Sequence, residues 1–404
     1  MESPEPRIAT LIVCTPSGDV LGRLPPFRSP LPWWQDAASL VEPVKGRYGV
    51  DVTILRLLEA SRPSPPGGSV TYLAEVDEAG ARRLPLSPWT GVLDTHPLRL
   101  PYAEPGGPSR DLAWATSALQ GLGRRRRGPA AQVRTWNLSS LWRIPLEQGG
   151  AAWLKCVPPF FAHEAAMLAQ LQNAPVPRLL ASDDGRMVMA EIPGDDQYDA
   201  GEPTLRALIS ILVGLQVEWS GRVEALLSTG LPDWRADALT QAVDSVVRRT
   251  DPDLLAPDRR ALRLLVDGLP QRMAAVAECG IADSLVHGDF APGNARGHGE
   301  HLVLLDWGDC GVGHPLLDRA AFLDRVPGRL VGALREHWNR AWREAAPGSD
   351  PERAGDLLAS VSAARQAVIY QGFLDRIEPS EHPYHSSDPA LWLTRAAELF
   401  RRFR

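Results

Sequence analysis

The stretch LVHGDFAPGNARGHGEHLVLLDWGDCGVGHPLLD, Leu285 to Asp318, decides the fold. It sets three polar side chains at fixed intervals. Asp289 and Asn294 stand on a short loop broken by Pro292 and Gly293. Asp306 closes the run His301 to Leu305, whose composition reads as a strand. A loop with one carboxylate and one amide, followed by a hairpin ending in a second carboxylate, suits phosphoryl transfer to an alcohol. One group accepts the hydroxyl proton, and two oxygen ligands hold a hard cation against phosphates. On that reading Asp289 is the catalytic base, and Asn294 and Asp306 are the metal ligands. His287 braces the loop through backbone hydrogen bonds.

Upstream, Val133 to Val157 reads as three strands, with turns at Asn137-Leu138-Ser139-Ser140 and Gln148-Gly149-Gly150. Lys155 lies on the third strand. Glu164 follows on an amphipathic helix, Ala162 to Leu171. Pro177 to Ala181 and Met187 to Ile192 are two further strands, joined by a turn at Asp183-Asp184-Gly185. After Pro193-Gly194 the chain turns helical. Helical periodicity runs through Thr204 to Glu218, Ala236 to Arg249, Pro257 to Cys279, Leu317 to Ala346, Pro351 to Ile377 and Pro389 to Phe400.

The chain has only two lysines, Lys45 and Lys155, against many arginines. A lysine that persists under such a bias suggests a site needing a point charge rather than a planar fork. For Lys45, a plain surface lysine is an adequate reading.

The HGD…N loop, the DW turn and the PLLD tail resemble the aminoglycoside phosphotransferase/choline kinase family. The resemblance extends over roughly Ala131 to Arg404. It implies an α+β, bilobal, protein-kinase-like fold, with a β-rich lobe over 131–192 and a helical lobe over 193–404. It also implies a small-molecule kinase that uses ATP, or GTP, with Mg2+. The implied cofactor-binding residues are Lys155, oriented by Glu164; Ser139 and Ser140 in the first hairpin; and the backbone of Glu191 and Ile192 as the adenine hinge. The implied acceptor is a small-molecule hydroxyl, with an aminoglycoside or other cationic antibiotic as a candidate and antibiotic resistance as the corresponding role. Asp318 resembles the loop-stabilising aspartate of the family. Ala291 stands where the family commonly carries histidine, which leaves the acceptor open. Two acidic groups, Asp195/Asp196/Asp199 and Asp375/Glu378/Glu381, are expected either to flank the acceptor or to form a solvated face. Tyr384, His385 and Trp392 either line a pocket or pack the last helix.

Ahead of this lies a small α+β region, 1–102, with strands at Arg7 to Cys14, Val50 to Leu58 and Val70 to Val76 and a helix over Asp36 to Tyr48. Its order is similar to a Nudix domain, but SLVEPVKGRYGV keeps only Glu42 where that family carries metal-binding glutamates. It is read as non-catalytic. A linker, 103–130, holds a helix from Asp111 to Leu122 and the run Arg124 to Arg127.

Composition bounds the alternatives. Over 404 residues, 44% are hydrophobic and 23% charged, with a net charge of −6. That is a globular protein able to bury a core, with no reason to bind nucleic acid or an anionic membrane. No apolar run reaches the ~18 residues of a membrane span. MESPEPRIATLIV lacks the marks of a signal peptide, and Cys14, Cys156, Cys279 and Cys310 lack metal or framework spacing. A cytoplasmic protein with reduced thiols is expected. The competing functional readings are a catalytically silent kinase-like protein and a Nudix-type hydrolase. The missing carboxylates disfavour the latter.

Overall fold

The computed structural model describes residues 5–403, and the first four residues of the segment read for a leader lie outside them. The chain divides into two compact units. One takes residues 1–162, 179–191 and 373–387; the other takes 163–178, 192–372 and 388–404.

The first unit is built on two sheets. In one, the order is Val20–Arg23, Arg7–Cys14, Gly68–Glu75, Thr53–Ala60, with Phe27–Arg28 also on Arg7–Cys14. Arg7–Cys14 and Gly68–Glu75 run parallel, which needs a crossover, and the chain between them carries the helix Ala38–Tyr48. Alternation sorts the side chains. Ala9, Leu11 and Val13 pack with Leu40, Val44, Tyr72 and Ala74 on one face, and Ile12, Cys14, Leu55 and Leu73 pack on the other. Gly49, at φ 63, ends the helix in the left-handed conformation that glycine adopts without cost.

The second sheet is antiparallel, in the order Ala131–Trp136, Ser139–Pro145, Ala151–Cys156, Arg186–Ala190, Leu179–Asp183. The turn between its last two strands has Asp184 at φ 42 and Gly185 at φ 75, the pattern the right-handed strand twist selects. The helix Gly107–Gly121 packs Ala115 and Leu119 against Trp142, Ile144 and Leu154. The two sheets are stitched by Gln132. Its side-chain amide accepts from Ile54 N at 2.9 Å and donates to Ile54 O at 2.7 Å, standing in for a strand partner. The segment 373–387 completes the unit. Tyr384 is buried against Trp34 and Trp136 at ring-centroid distances of 5.7 and 5.5 Å.

The second unit is helical around two small sheets, Asp195–Asp196/Ala295–His298/His301–Leu304 and Asp233–Trp234/Gly311–Gly313/Ser284–Val286. Two of the long helical runs expected from periodicity are each two helices. Pro257 to Cys279 divides into Ala256–Asp267 and Leu269–Ala277, because Gly268 precedes a Leu-Pro pair at a new helix start. Leu317 to Ala346 divides into Leu317–Asp324 and Val331–Ala345, because Pro327 has no N–H to continue the first and disfavours helix at Val326. Among the described residues, no helix is long and apolar enough to cross a membrane. All four cysteines are buried and unbridged.

Candidate active site

The loop Val286–Asn294 is held from below by buried polar groups. Asp318 is 1% exposed, and its carboxylate accepts from the backbone N–H of His287 at 2.8 Å and of Gly288 at 2.9 Å. Gln216 donates to the same carboxylate at 3.0 Å. Burial raises the Asp318 pKa, although Arg365 and these backbone donors favour the ionised form. His287 is fully buried and its Nε2 pairs with Leu305 O at 3.0 Å. Burial lowers its pKa, so the ring is a neutral brace. Gly288 sits at φ 91, and a Cβ there would collide with the Asp309 carbonyl. Its own carbonyl takes two donors from the helix Pro351–Leu374, Arg365 Nη2 and Gln366 Nε2, each at 2.7 Å.

On that base stands Asp289, with both carboxylate oxygens engaged. Oδ2 accepts from Asn294 Nδ2 at 2.8 Å, and Oδ1 accepts from Arg325 Nη1 at 2.7 Å. Asn294 Nδ2 also donates to the Asp289 carbonyl at 2.8 Å. Because the amide nitrogen has two acceptors, the Asn294 side chain is oriented with Oδ1 turned away from Asp289. Asn294 O in turn accepts from Leu305 N at 2.8 Å. In the hairpin, Ala295 faces Leu304, so Asn294 and Asp306 leave it at the same end. Asp306 is exposed and holds φ 60, ψ 69, a left-handed conformation that costs a non-glycine residue about 1 kcal/mol. Asp289 is thus bonded to Asn294, which leaves the hairpin at the same end as Asp306. The oxygen-only pair Asn294 Oδ1 and Asp306 suits Mg2+, which keeps several waters and takes few protein ligands. Among the described residues, no group of three or more His, Cys, Asp or Glu side chains is placed to hold a metal.

Glu164, in the first turn of the helix His163–Gln170, is buried. Its Oε1 accepts from the Trp307 N–H at 3.2 Å, next to Asp306. Ile192 O accepts from Arg296 Nε at 3.0 Å. Within the first unit, Lys155 stands mid-strand opposite Leu141 and Met187. Glu191 pairs with Arg143 at 2.7 Å. Ser139 and Ser140 lie in a strand rather than in the turn where the sequence set them, since the ladder starts with Trp136 opposite Ser139. Both are buried and each takes an indole N–H, from Trp136 at 3.2 Å and Trp142 at 3.0 Å.

In the second acidic group Asp375 is exposed, but Glu378 and Glu381 are buried and form neither a solvated face nor an acceptor rim. Glu378 is buried and bonds Arg99 at 2.7 Å, with Arg56 at 3.8 Å. Glu381 is buried and accepts from Leu57 N at 3.0 Å. Of the first group, Asp196 pairs with Arg296 at 2.6 Å, while Asp199 lines a cavity of about 760 Å3 together with Tyr198, Glu202, Pro292, Arg325 and Arg329. Tyr384 and His385 are buried in the first unit beside Trp136 rather than on the last helix, and Trp392 on that helix is half-buried.

The family profile described as the APH phosphotransferase enzyme family matches residues 148–357, just over half of the chain. The chain belongs to that family. The matched span holds Lys155, Glu164, Asp289, Asn294, Asp306 and Arg325; Ser139 and Ser140 fall outside it. Among solved structures, this phosphotransferase is similar to the macrolide 2′-phosphotransferase of Brachybacterium faecium, with 18% identity and a TM-score of 0.51, over 69% of this chain and 97% of that one. Weaker likenesses are to a choline/ethanolamine kinase family protein of Mesorhizobium loti (16% identity, TM-score 0.48, 72% and 99% covered) and to Plasmodium vivax ethanolamine kinase (13%, 0.47, 66% and 81%). At such identities the likeness is one of fold. No curated protein sequence matches.

Arg325, Arg365 and Gln366 are the site residues that the sequence reading missed. For Arg325 a signal existed: it lies seven residues after Asp318, two helical turns along the same face. For Arg365 and Gln366 there was none, because a helical period does not say which loop lies above it.

Proposed function

We propose that this small-molecule kinase transfers the γ-phosphoryl group of ATP to a hydroxyl of a small molecule. The observation that carries the reading is the oriented Asn294 amide, which holds Asp289 with its nitrogen and leaves its oxygen for a metal. Mg2+, held there by Asn294 Oδ1 and Asp306, would supply charge neutralisation to the phosphate oxygens. Asp289 takes the acceptor proton and, more importantly, aims the acceptor oxygen, because a loose transition state asks little of a base. Lys155 is the proposed point charge on the phosphates and Glu164 its orienting carboxylate. Ser139, Ser140 and the backbone of Glu191 and Ile192 are the proposed remaining nucleotide contacts.

The cavity lined by Tyr198, Asp199 and Pro292 is the proposed acceptor site. Tyr198 is 68% exposed, which leaves its ring open to stack on a ligand. Asp199 supports an acceptor that carries a cation.

A mass-shift screen of the purified protein with Mg2+-ATP against aminoglycosides, macrolides, peptide antibiotics, nucleosides and amino sugars tests the reading. A gain of one phosphoryl group on one class is expected, and no transfer to any hydroxyl would overturn it. Asp306→Ala should weaken Mg2+-dependent ATP binding on the order of 100-fold. Unchanged affinity would remove Asp306 from the metal site.

A further inference from the structure

The guanidinium on the base is not explained by holding the loop. Asp318, His287, Arg365 and Gln366 already fix the loop from beneath, and Asn294 fixes the Asp289 side chain. Arg325 comes from outside that set, at the end of the helix Leu317–Asp324. It puts Nη1 on Asp289 Oδ1, while Nε and Nη2 make no hydrogen bond to any described residue. Its side chain is 32% exposed and forms part of the wall of the cavity beside Pro292. One edge of a planar fork is thus used on Asp289, and the same side chain lines the cavity proposed for the acceptor. A purely structural Arg–carboxylate pair would tend to use both prongs of the fork. The neighbouring Asp324–Arg395 pair does so, with Nε and Nη2 on the two carboxylate oxygens at 3.0 and 2.7 Å.

We propose that Arg325 is the cation that meets the phosphoryl group in transit, its free Nε and Nη2 donors taking the oxygens of that group as it reaches the acceptor held by Asp289. This deepens the phosphotransfer reading above and rests on it. In the step, the acceptor O–H gives its proton to an Asp289 oxygen. The acceptor oxygen forms the new bond to the γ phosphorus, and the bond from that phosphorus to the β–γ bridging oxygen breaks, its electron pair leaving on the nucleoside diphosphate. Negative charge gathers on the phosphoryl oxygens as the new bond forms. The guanidinium, which cannot itself lose a proton at ordinary pH, is left facing the moving group. Burial lowers the Arg325 pKa, but Asp289, aided by Tyr370 and Asp309, more than offsets it, so the cation is secure in the resting site.

The test needs no acceptor. Binding of Mg2+-ADP, with and without aluminium fluoride as a mimic of the phosphoryl group in transit, is measured for the wild type, Arg325→Ala and Arg325→Lys by calorimetry, with thermal unfolding as the check on folding. Arg325→Ala should bind Mg2+-ADP as the wild type does, yet bind the fluoride complex on the order of 100-fold more weakly. Arg325→Lys should recover part of that loss, because it keeps the charge and gives up the fork. Equal fluoride-complex affinity in Arg325→Ala overturns the proposal. So does an equal loss of ADP and fluoride-complex binding, which would make Arg325 a support of the fold. A wild type that binds no Mg2+-ADP overturns the phosphotransfer reading first, and the proposal with it.

Discussion

The two units solve the same problem, placing polar groups where water is absent, in opposite ways. In the catalytic-loop unit, several of the hydrogen bonds at the loop run between residues fairly near along the chain, although Gln216 reaches Asp318 across 102 residues. Asp289 to Asn294 spans five residues, His287 to Leu305 eighteen, and Gly288 to Asp318 thirty. In the other unit two of the buried carboxylates meet partners from the far end of the chain. Glu378 reaches Arg99 across 279 residues and Glu381 reaches Leu57 across 324. Local networks serve chemistry, because a few short loops can hold a side chain to a fraction of an ångström. The distant ones serve cohesion, binding a small sheet, a second sheet and a late segment into one core.

The largest expected effect tests the local network. Asp289→Asn should lower kcat about 10³-fold while leaving Mg2+-ATP affinity within a few-fold, measured by phosphate transfer and calorimetry. Full activity would strip Asp289 of its role. The distant network is tested next by Tyr384→Ala. It removes a ring wedged against Trp34 and Trp136 and should cost about 3 kcal/mol in denaturant unfolding. Unfolding of that unit should move more than unfolding of the catalytic unit, and an equal shift in both would erase the contrast.

Glu381 sharpens it further. Burial raises its pKa from 4.5 to about 8, with the nearby Glu378 adding to the rise and the Leu57 N–H and Arg56 opposing it. The folded state therefore holds this proton more tightly than the unfolded chain. Stability from Glu381 is present in full below about pH 4.5 and is lost as pH rises through 8. Between pH 5 and 8.5 the wild-type melting temperature should fall more steeply than that of Glu381→Gln, and parallel curves would show that the group does not titrate on unfolding. The smallest effect is expected at Lys45. Its pair with Asp51 joins side chains 53% and 70% exposed, so Lys45→Ala should change stability by less than about 0.5 kcal/mol.

The same contrast explains what could be read in advance. The pairing of Asp289 with Asn294, and the place of Asn294 and Asp306 at one hairpin end, follow from spacing along the chain. The His287 brace was visible because a histidine two residues before Asp289 has the backbone of the next strand above it. The burial of Glu378 and Glu381 was not, since neither carboxylate has a charged partner within a helical turn and an acidic stretch on its own reads as solvated. Ser139 and Ser140 were set in a turn because small polar residues favour turns. What placed them in the strand is the pair of tryptophans whose indole N–H groups needed acceptors. The helices broken at Gly268 and Pro327 were read as continuous because apolar period carries across a break that rigid local chemistry makes. Arg325 was missed because its partner is a loop and not another turn of its own helix.

The late segment 373–387 has a consequence for how the protein is made. Leu57 waits for the carboxylate of Glu381, which emerges from a ribosome only after 324 further residues. At about 5–20 residues per second that is roughly 16–65 s. During that interval the first sheet has no Tyr384 ring between Trp34 and Trp136. The sheet that holds Leu57 is thus made long before the segment that closes it.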